Sequence, residues 1–495
     1  MIKRFLLSGL LLLGLHLHAD VTLPAVLADH MVVQRGLPVH VWGMASPAEN
    51  VSASFRGETR TTTADELGRW SLYFSPGEAG GAFSLAVKGN NAITLNDILV
   101  GDVWVASGQS NMEWPLKRAT NAEAELAAAK YPKIRIFQLD RKTAEYPLAD
   151  VSAKTWVACA PDTAGDGSAV AYFFARDLQK KENVPIGLID SYWGGSAAES
   201  WTSLRALSAD ASLMPVFASR VHAVEAQPTV LLRSQKENQE YEKAVAEAQA
   251  QGKPAPNRPW HPEFGWTPGS LYNAMVAPLT AFAIRGVIWY QGESNTSPER
   301  APVYARLFQT MIQDWRRSWG EGDFPFLFVQ LPNWNSPPDS QWPEVREAQR
   351  RTLVLRNTGM AVTIDIGDPA ILHPPAKQEV GARLALAARA VAYGENIEYS
   401  GPMYRQVTQE DHALRIWFDH AEGLTAKGGE VKGFEVAGPD GKFSPATAKI
   451  EGKSVAVSSP QVLAPVHVRY GWAASPECNL YNRDGLPASP FQSEN

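Results

Sequence analysis

The chain has 495 residues, 45% of them hydrophobic and 20% charged. That suits a folded protein of about three domains and excludes a disordered one. Lys and Arg number 46 against 52 Asp and Glu, a net charge of −6, so the basic face of a nucleic-acid binder is not expected. Two cysteines rule out a disulfide-built scaffold and a multi-cysteine metal site, and the ten histidines include no HExxH-type pair.

The chain opens as a secretory signal peptide: Lys3 and Arg4, an apolar run over 5–15, then Leu17, His18 and Ala19, with cleavage expected after Ala19. The run is too short for a bilayer of about 30 Å, and no later apolar run approaches the roughly 18 residues that a span needs. The product is therefore expected to be exported, periplasmic or extracellular, and free of the membrane after cleavage. Export would permit a Cys159–Cys478 disulfide, though two buried thiols fit the sequence equally.

Residues 20–97 read as a small β-sandwich. Short runs such as Met31-Val32-Val33, His40-Val41-Trp42 and Trp70-Ser71-Leu72-Tyr73-Phe74 alternate with Gly, Pro and Asn turns. Residues 98–399 change character. Apolar β-rich runs at 98–106, 185–190, 287–290, 326–331 and 360–366 alternate with helical stretches at 122–130, 168–182, 304–319 and 377–393. Strands alternating with helices predict an α/β region with a parallel sheet covered on both faces. Residues 203–268 interrupt it as an insertion that could roof a cleft. Its charged stretch 233–251 reads as an exposed helix, and Trp260-His261-Pro262, Phe264 and Trp266 read as packing or substrate contacts. Residues 400–495 are strand-like again and predict a C-terminal β-sandwich.

In an open parallel sheet the ligand crevice lies beyond the carboxyl ends of the strands, so the residues that follow each run are the informative ones. After the first comes Ser107-Gly108-Gln109-Ser110-Asn111-Met112-Glu113. Gly108 permits a tight turn, and Ser110 would start a helix with its hydroxyl toward a cleft and unpaired N–H groups nearby. The alternative is that Ser110 only caps that helix, with Glu113 completing a capping box. After the second run stand Gly194-Gly195, where a backbone N–H can approach a reacting group, or which form a simple turn. After the third come Gln291-Gly292-Glu293-Ser294-Asn295, amides suited to an oxyanion hole. After the last, a Pro-rich loop carries His373, with Asp365 and Asp368 shortly before it. A nucleophilic Ser needs a base in hydrogen-bond reach and a group that orients the base.

The order of these blocks carries a resemblance. Gly108-Gln109-Ser110-Asn111-Met112, Trp193-Gly194-Gly195, Trp289-Tyr290-Gln291-Gly292-Glu293-Ser294-Asn295, and Asp365-Ile366-Gly367-Asp368-Pro369 running to His373-Pro374 resemble the sialate O-acetylesterase family of SGNH hydrolases. The resemblance spans nearly the whole chain after residue 19. It implies an SGNH-type three-layer α/β/α domain between the two β-sandwiches. It also implies Ser110 as nucleophile, His373 as general base, and the N–H groups of Ser110 and Gly195 with the amide of Gln291 or Asn295 as oxyanion donors. The family usually places the acid two or three residues before the His, where this chain has Ile371 and Ala370; Asp368 is the nearest candidate, with Asp365 next.

The expected activity is removal of O-acetyl groups from a carbohydrate, sialate or a hemicellulose such as xylan or xyloglucan, with no metal or organic cofactor. Two rivals are a glycosidase using Glu113 and Glu293, and a non-catalytic sugar-binding protein with a degenerate esterase site.

Overall fold

A computed structural model describes residues 20–253, 256 and 266–493, so the signal-peptide segment, the Trp260-His261-Pro262 stretch and Phe264 lie outside the described residues. Six parallel strands form the centre: β1 (Ala92–Gly108), β2 (Tyr131–Gln138), β3 (Ile186–Tyr192), β4 (Gly286–Tyr290), β5 (Phe326–Val329) and β6 (Thr358–Ala361). Their order across the sheet is β2-β3-β1-β4-β5-β6, with Val157–Cys159 antiparallel on the outer edge of β2. The chain direction across the sheet reverses at β1, which makes its carboxyl end the crevice position.

β1 is longer than the run at 98–106 predicts, and a boundary at residue 97 falls inside it. Its first part alternates between exposed and buried residues, while from Ile98 onward every residue is buried. The first half pairs antiparallel with Gly80–Lys88 and carries the N-terminal strands; the second half is covered on both faces. Composition changes there because burial changes, while the strand itself continues. One mixed sheet of 11 strands therefore joins the N-terminal region to the centre.

Helices Ala169–Glu182 and Lys377–Val391 pack on one face of the sheet over Trp104, Leu188, Ile288 and Leu327. The other face holds Trp201, Trp289 and Trp315 with the helix Ala301–Trp319. The insertion forms a helix over Met214–Ala250, longer than its charged part alone predicts. Beyond residue 400, two four-stranded antiparallel sheets enclose a separate core of Ile416, Phe418, Val436, Val468, Tyr470 and Phe491. Cys159 and Cys478 are both free thiols, so the disulfide that export would permit is not formed. Among the described residues no helix is long and apolar enough to cross a membrane.

Candidate active site

Register brings the loops together. Gly108 at the end of β1 lies opposite Tyr192 of β3 on one side and Tyr290 of β4 on the other, so three loops leave the sheet at one level. The turn out of β1 needs glycine. Gly108 has φ +132°, and a Cβ there would stand 2.2 Å from the Tyr290 carbonyl oxygen. Gln109 is extended and donates its N–H to that same carbonyl at 3.0 Å. A single helical turn, Ser110–Glu113, follows.

Gln109, not Ser110, occupies the cap position, and no side chain caps this turn. The capping-box alternative therefore fails. The Glu113 carboxylate instead accepts the Gly194 N–H and pairs with Arg141. Ser110 is left with a free hydroxyl whose Oγ lies 2.7 Å from His373 Nε2. Its backbone N–H belongs to a first turn, where no intrahelical acceptor exists.

His373 follows β6 in the Pro-rich loop, and its ring stacks on Trp114 with centroids 5.7 Å apart. Burial, then the Lys377 and Arg118 cations, hold the imidazole well below its ordinary range, at about 4. It is therefore neutral near pH 7, as a general base must be. No carboxylate hydrogen-bonds to it among the described residues. Asp368, expected as the orienting acid, turns back on its own loop and accepts the Ala370 N–H at 2.8 Å. Asp365 is engaged by both Nη atoms of Arg383 at 2.6 and 2.8 Å. An Asp that begins a tight Asp-Pro turn satisfies its nearest backbone N–H first, which is why Asp368 does not reach the imidazole.

The expected oxyanion donors separate. Gly195 has φ +81°, a left-handed conformation that suits glycine, and its N–H has no acceptor among the described residues. The two candidate amides are buried and already committed. Gln291 Nε2 donates to Asn295 Oδ1 at 2.7 Å, and Asn295 Nδ2 donates to Glu199 Oε2 at 2.9 Å. They join the loops after β3 and β4, so the expectation that one of them faces an oxyanion is corrected. The amide that does line the cavity beside Ser110 is Gln109. Its Oε1 accepts the Ser294 N–H at 3.2 Å, and its Nε2 has no partner among the described residues. The signal was present in the Gly-Gln-Ser sequence but was indistinguishable from a turn residue.

Glu113 and Glu293, the pair a glycosidase would need, are both engaged. Glu293 Oε1 accepts Asn111 Nδ2 at 2.6 Å.

The cavity in front of Ser110 and His373 measures about 1080 Å³ and is lined by Trp193, Trp266, Trp334 and Trp342. Trp266 and Asn238 come from the insertion, so that segment contributes to the wall. A smaller cavity of about 440 Å³ shares Ser110, Glu113, Arg141 and His373 and continues past Arg118 and Tyr192. Arg118 lies over the Trp114 ring at 4.3 Å and has no carboxylate partner among the described residues.

Comparison with known proteins bears on what this site does. The family model described as carbohydrate esterase, sialic acid-specific acetylesterase, matches residues 100–254 and 248–390. The chain is 30% identical to the sialate O-acetylesterase of Mus musculus across 91% of this chain and 90% of that protein. It is 30% identical to the one of Homo sapiens, across 91% and 88%. A crystal structure of a carbohydrate acetylesterase from Xanthomonas citri superposes with a TM-score of 0.82 at 39% identity, covering 96% of this chain and all of that one. Matched over more than half its length by the family model, and built around a serine and a histidine in bonding contact, the chain belongs to the sialic acid-specific acetylesterase family of carbohydrate esterases.

Proposed function

We propose that this carbohydrate acetylesterase is an exported serine esterase that releases acetate from O-acetylated sugars through an acetyl-enzyme on Ser110, within an SGNH-type domain. The observation that carries the reading is the 2.7 Å contact of Ser110 Oγ with a neutral, half-buried His373 in a tryptophan-lined cleft. Ser110 Oγ attacks the acetyl carbonyl carbon and gives its proton to His373 Nε2. The negative oxygen that forms is held by the N–H groups of Ser110 and Gly195, with Gln109 Nε2 in place of the committed Gln291 and Asn295 amides. The bond from carbonyl carbon to sugar oxygen breaks, and His373 returns the proton to that oxygen. Water then gives a proton to His373 and its oxygen to the acyl carbon; the bond from that carbon to Ser110 Oγ breaks, acetic acid leaves and ionises to acetate, and His373 returns its proton to Oγ.

The tryptophan lining of the cleft supports a sugar face stacking on Trp334 or Trp266, since aromatic rings bury apolar sugar faces well. Asn238 of the insertion helix and Trp266 line the same cavity. An aryl acetate should therefore give a burst of phenolate and a mass increase of one acetyl group on the peptide containing Ser110. Turnover with no such adduct under acid quench would count against the acetyl-enzyme.

The sugar is assigned by comparing acetate release from acetylated sialic acid with that from acetylated xylan or xyloglucan oligosaccharides. A sialate carboxylate would draw on the unpaired Arg118 guanidinium in the smaller cavity. Arg118→Gln should then raise KM for acetylated sialic acid about tenfold or more and spare the neutral oligosaccharides. An equal effect on both sugar classes would exclude Arg118 as a carboxylate site.

A further inference from the structure

A histidine base in a serine esterase is ordinarily held by an acid on its second ring nitrogen. Here neither Asp368 nor Asp365 does this, yet the imidazole sits in bonding contact with Ser110. Something else must fix it. The Trp114 ring limits the imidazole from one face, but a stacked ring leaves sliding and rotation in its plane.

The remaining constraint arrives through the main chain. Asn111 directly follows the nucleophile and is fully buried. Its Nδ2 donates to the carbonyl oxygen of Leu372, the residue before His373, at 3.2 Å, and to Glu293 Oε1 at 2.6 Å. Its Oδ1 accepts from Lys377 Nζ at 2.6 Å, at the start of the helix that follows the His373 loop. Only one orientation of the amide satisfies this set, because two neighbours are acceptors and the third is a donor. One side chain thus joins the exits of β1, β4 and β6.

The network is built for this position. Lys377 is buried, with its ammonium near the rings of Trp114 and Tyr290 at 5.9 and 5.3 Å. The second Glu293 oxygen is buried without a partner, although the rest of that residue borders the cleft. A buried cation and a buried carboxylate are costly unless each is paired. Asn111 stands between them and serves both.

Resting on the Ser110 and His373 reading above, we propose that Asn111, clamped between Lys377 and Glu293, is the positioning residue that sets the His373 loop against Ser110 in the place of a triad acid. It touches no reacting atom; it fixes the peptide on which the base is mounted. Misplacing a catalytic group by about 1 Å can cost a hundredfold in rate.

The test uses the full chain with an aryl acetate and the active-site titrant diethyl 4-nitrophenyl phosphate, whose phosphorus bonds to Ser110 Oγ as 4-nitrophenolate leaves. The titration endpoint counts correctly folded sites, so a variant that partly fails to fold is corrected for. Per titrated site, Asn111→Ala should lower kcat about 10- to 100-fold, leave KM within about twofold, and slow phosphorylation by a similar factor. Glu293→Gln keeps an acceptor for Nδ2 and should lose less kcat than Glu293→Ala. The proposal is overturned by a per-site kcat within about threefold of the wild type, by a raised KM at constant kcat, or by equal losses in the two Glu293 variants. A wild-type enzyme that takes no label on Ser110 overturns the nucleophile assignment itself, and this proposal with it.

Discussion

Asp368 and Asn111 show how close two polar residues can be in sequence terms to a catalytic role and still differ in fate. Asp368 stands five residues before His373 and spends its carboxylate on its own turn. Asn111 lies far from His373 in sequence and is bonded to its loop. That Ser110 and His373 would meet was legible because each stands beyond the carboxyl end of a buried strand, among residue types with one obvious joint chemistry. Which amide borders the cavity beside Ser110 was not legible. Gln109, Gln291 and Asn295 have the same functional group, and only tertiary packing decides which two are consumed internally. At this scale the electrostatics give a direct expectation. Burial first, and then Lys377 and Arg118, disfavour a protonated His373 and hold its titration low. Replacing either cation by a neutral residue lets the proton bind at higher pH. The acid limb of the kcat/KM profile, where the base is lost as pH falls, should therefore move upward in Lys377→Met and in Arg118→Gln, and further in the former. A pH–rate series over the acid range checks this, and an unmoved limb in both variants would refute the assignment of those charges.

Among the elements, those with apolar periodicity were readable and those with buried polar residues were not. β2 carries Pro132 and two cations within eight residues, and its Arg135 is buried against Asp97 at 2.7 Å and the Pro132 carbonyl. A strand that buries a guanidinium does not look like an interior strand. The helix Trp342–Arg351 is hidden for the same reason: Arg346 and Gln349 are fully buried on a strongly polar sequence. The β1 exit makes a prediction of its own. Gly108→Ala would place a methyl group against the Tyr290 carbonyl at a φ that L-residues rarely adopt. The strain should cost about 1–3 kcal/mol, visible as a lower Tm. Activity should fall by more than the loss of folded protein accounts for, because the turn that presents Ser110 must shift. Activity that simply follows the folded fraction would show that the turn tolerates the change.

Taken whole, the molecule has two structural continuities that its composition did not reveal. One is β1, which runs from the N-terminal strands into the central sheet without a break. The other is Arg346. Its guanidinium donates to the carbonyls of Leu331 and Pro332 beside the cleft and to those of Ala473 and Ala474 from the C-terminal region. The Trp334 and Trp342 wall of the cavity is thereby tied to the last β-region. Arg346→Met would leave several buried carbonyls unpaired, at about 1–3 kcal/mol each. Thermal unfolding should occur at markedly lower temperature, and KM for a sugar substrate should rise more than KM for an aryl acetate. An unchanged Tm would mean that the C-terminal region is held by other contacts.

Whether Ser110 performs the chemistry is read from acetate release by a Ser110→Ala variant whose circular dichroism and Tm match the wild type. Release from both an aryl acetate and an acetylated sugar should fall to background in that variant, because among the described residues no other hydroxyl lining the cleft has a histidine within hydrogen-bond reach. Turnover near the wild-type rate in a folded Ser110→Ala protein would contradict that role for Ser110.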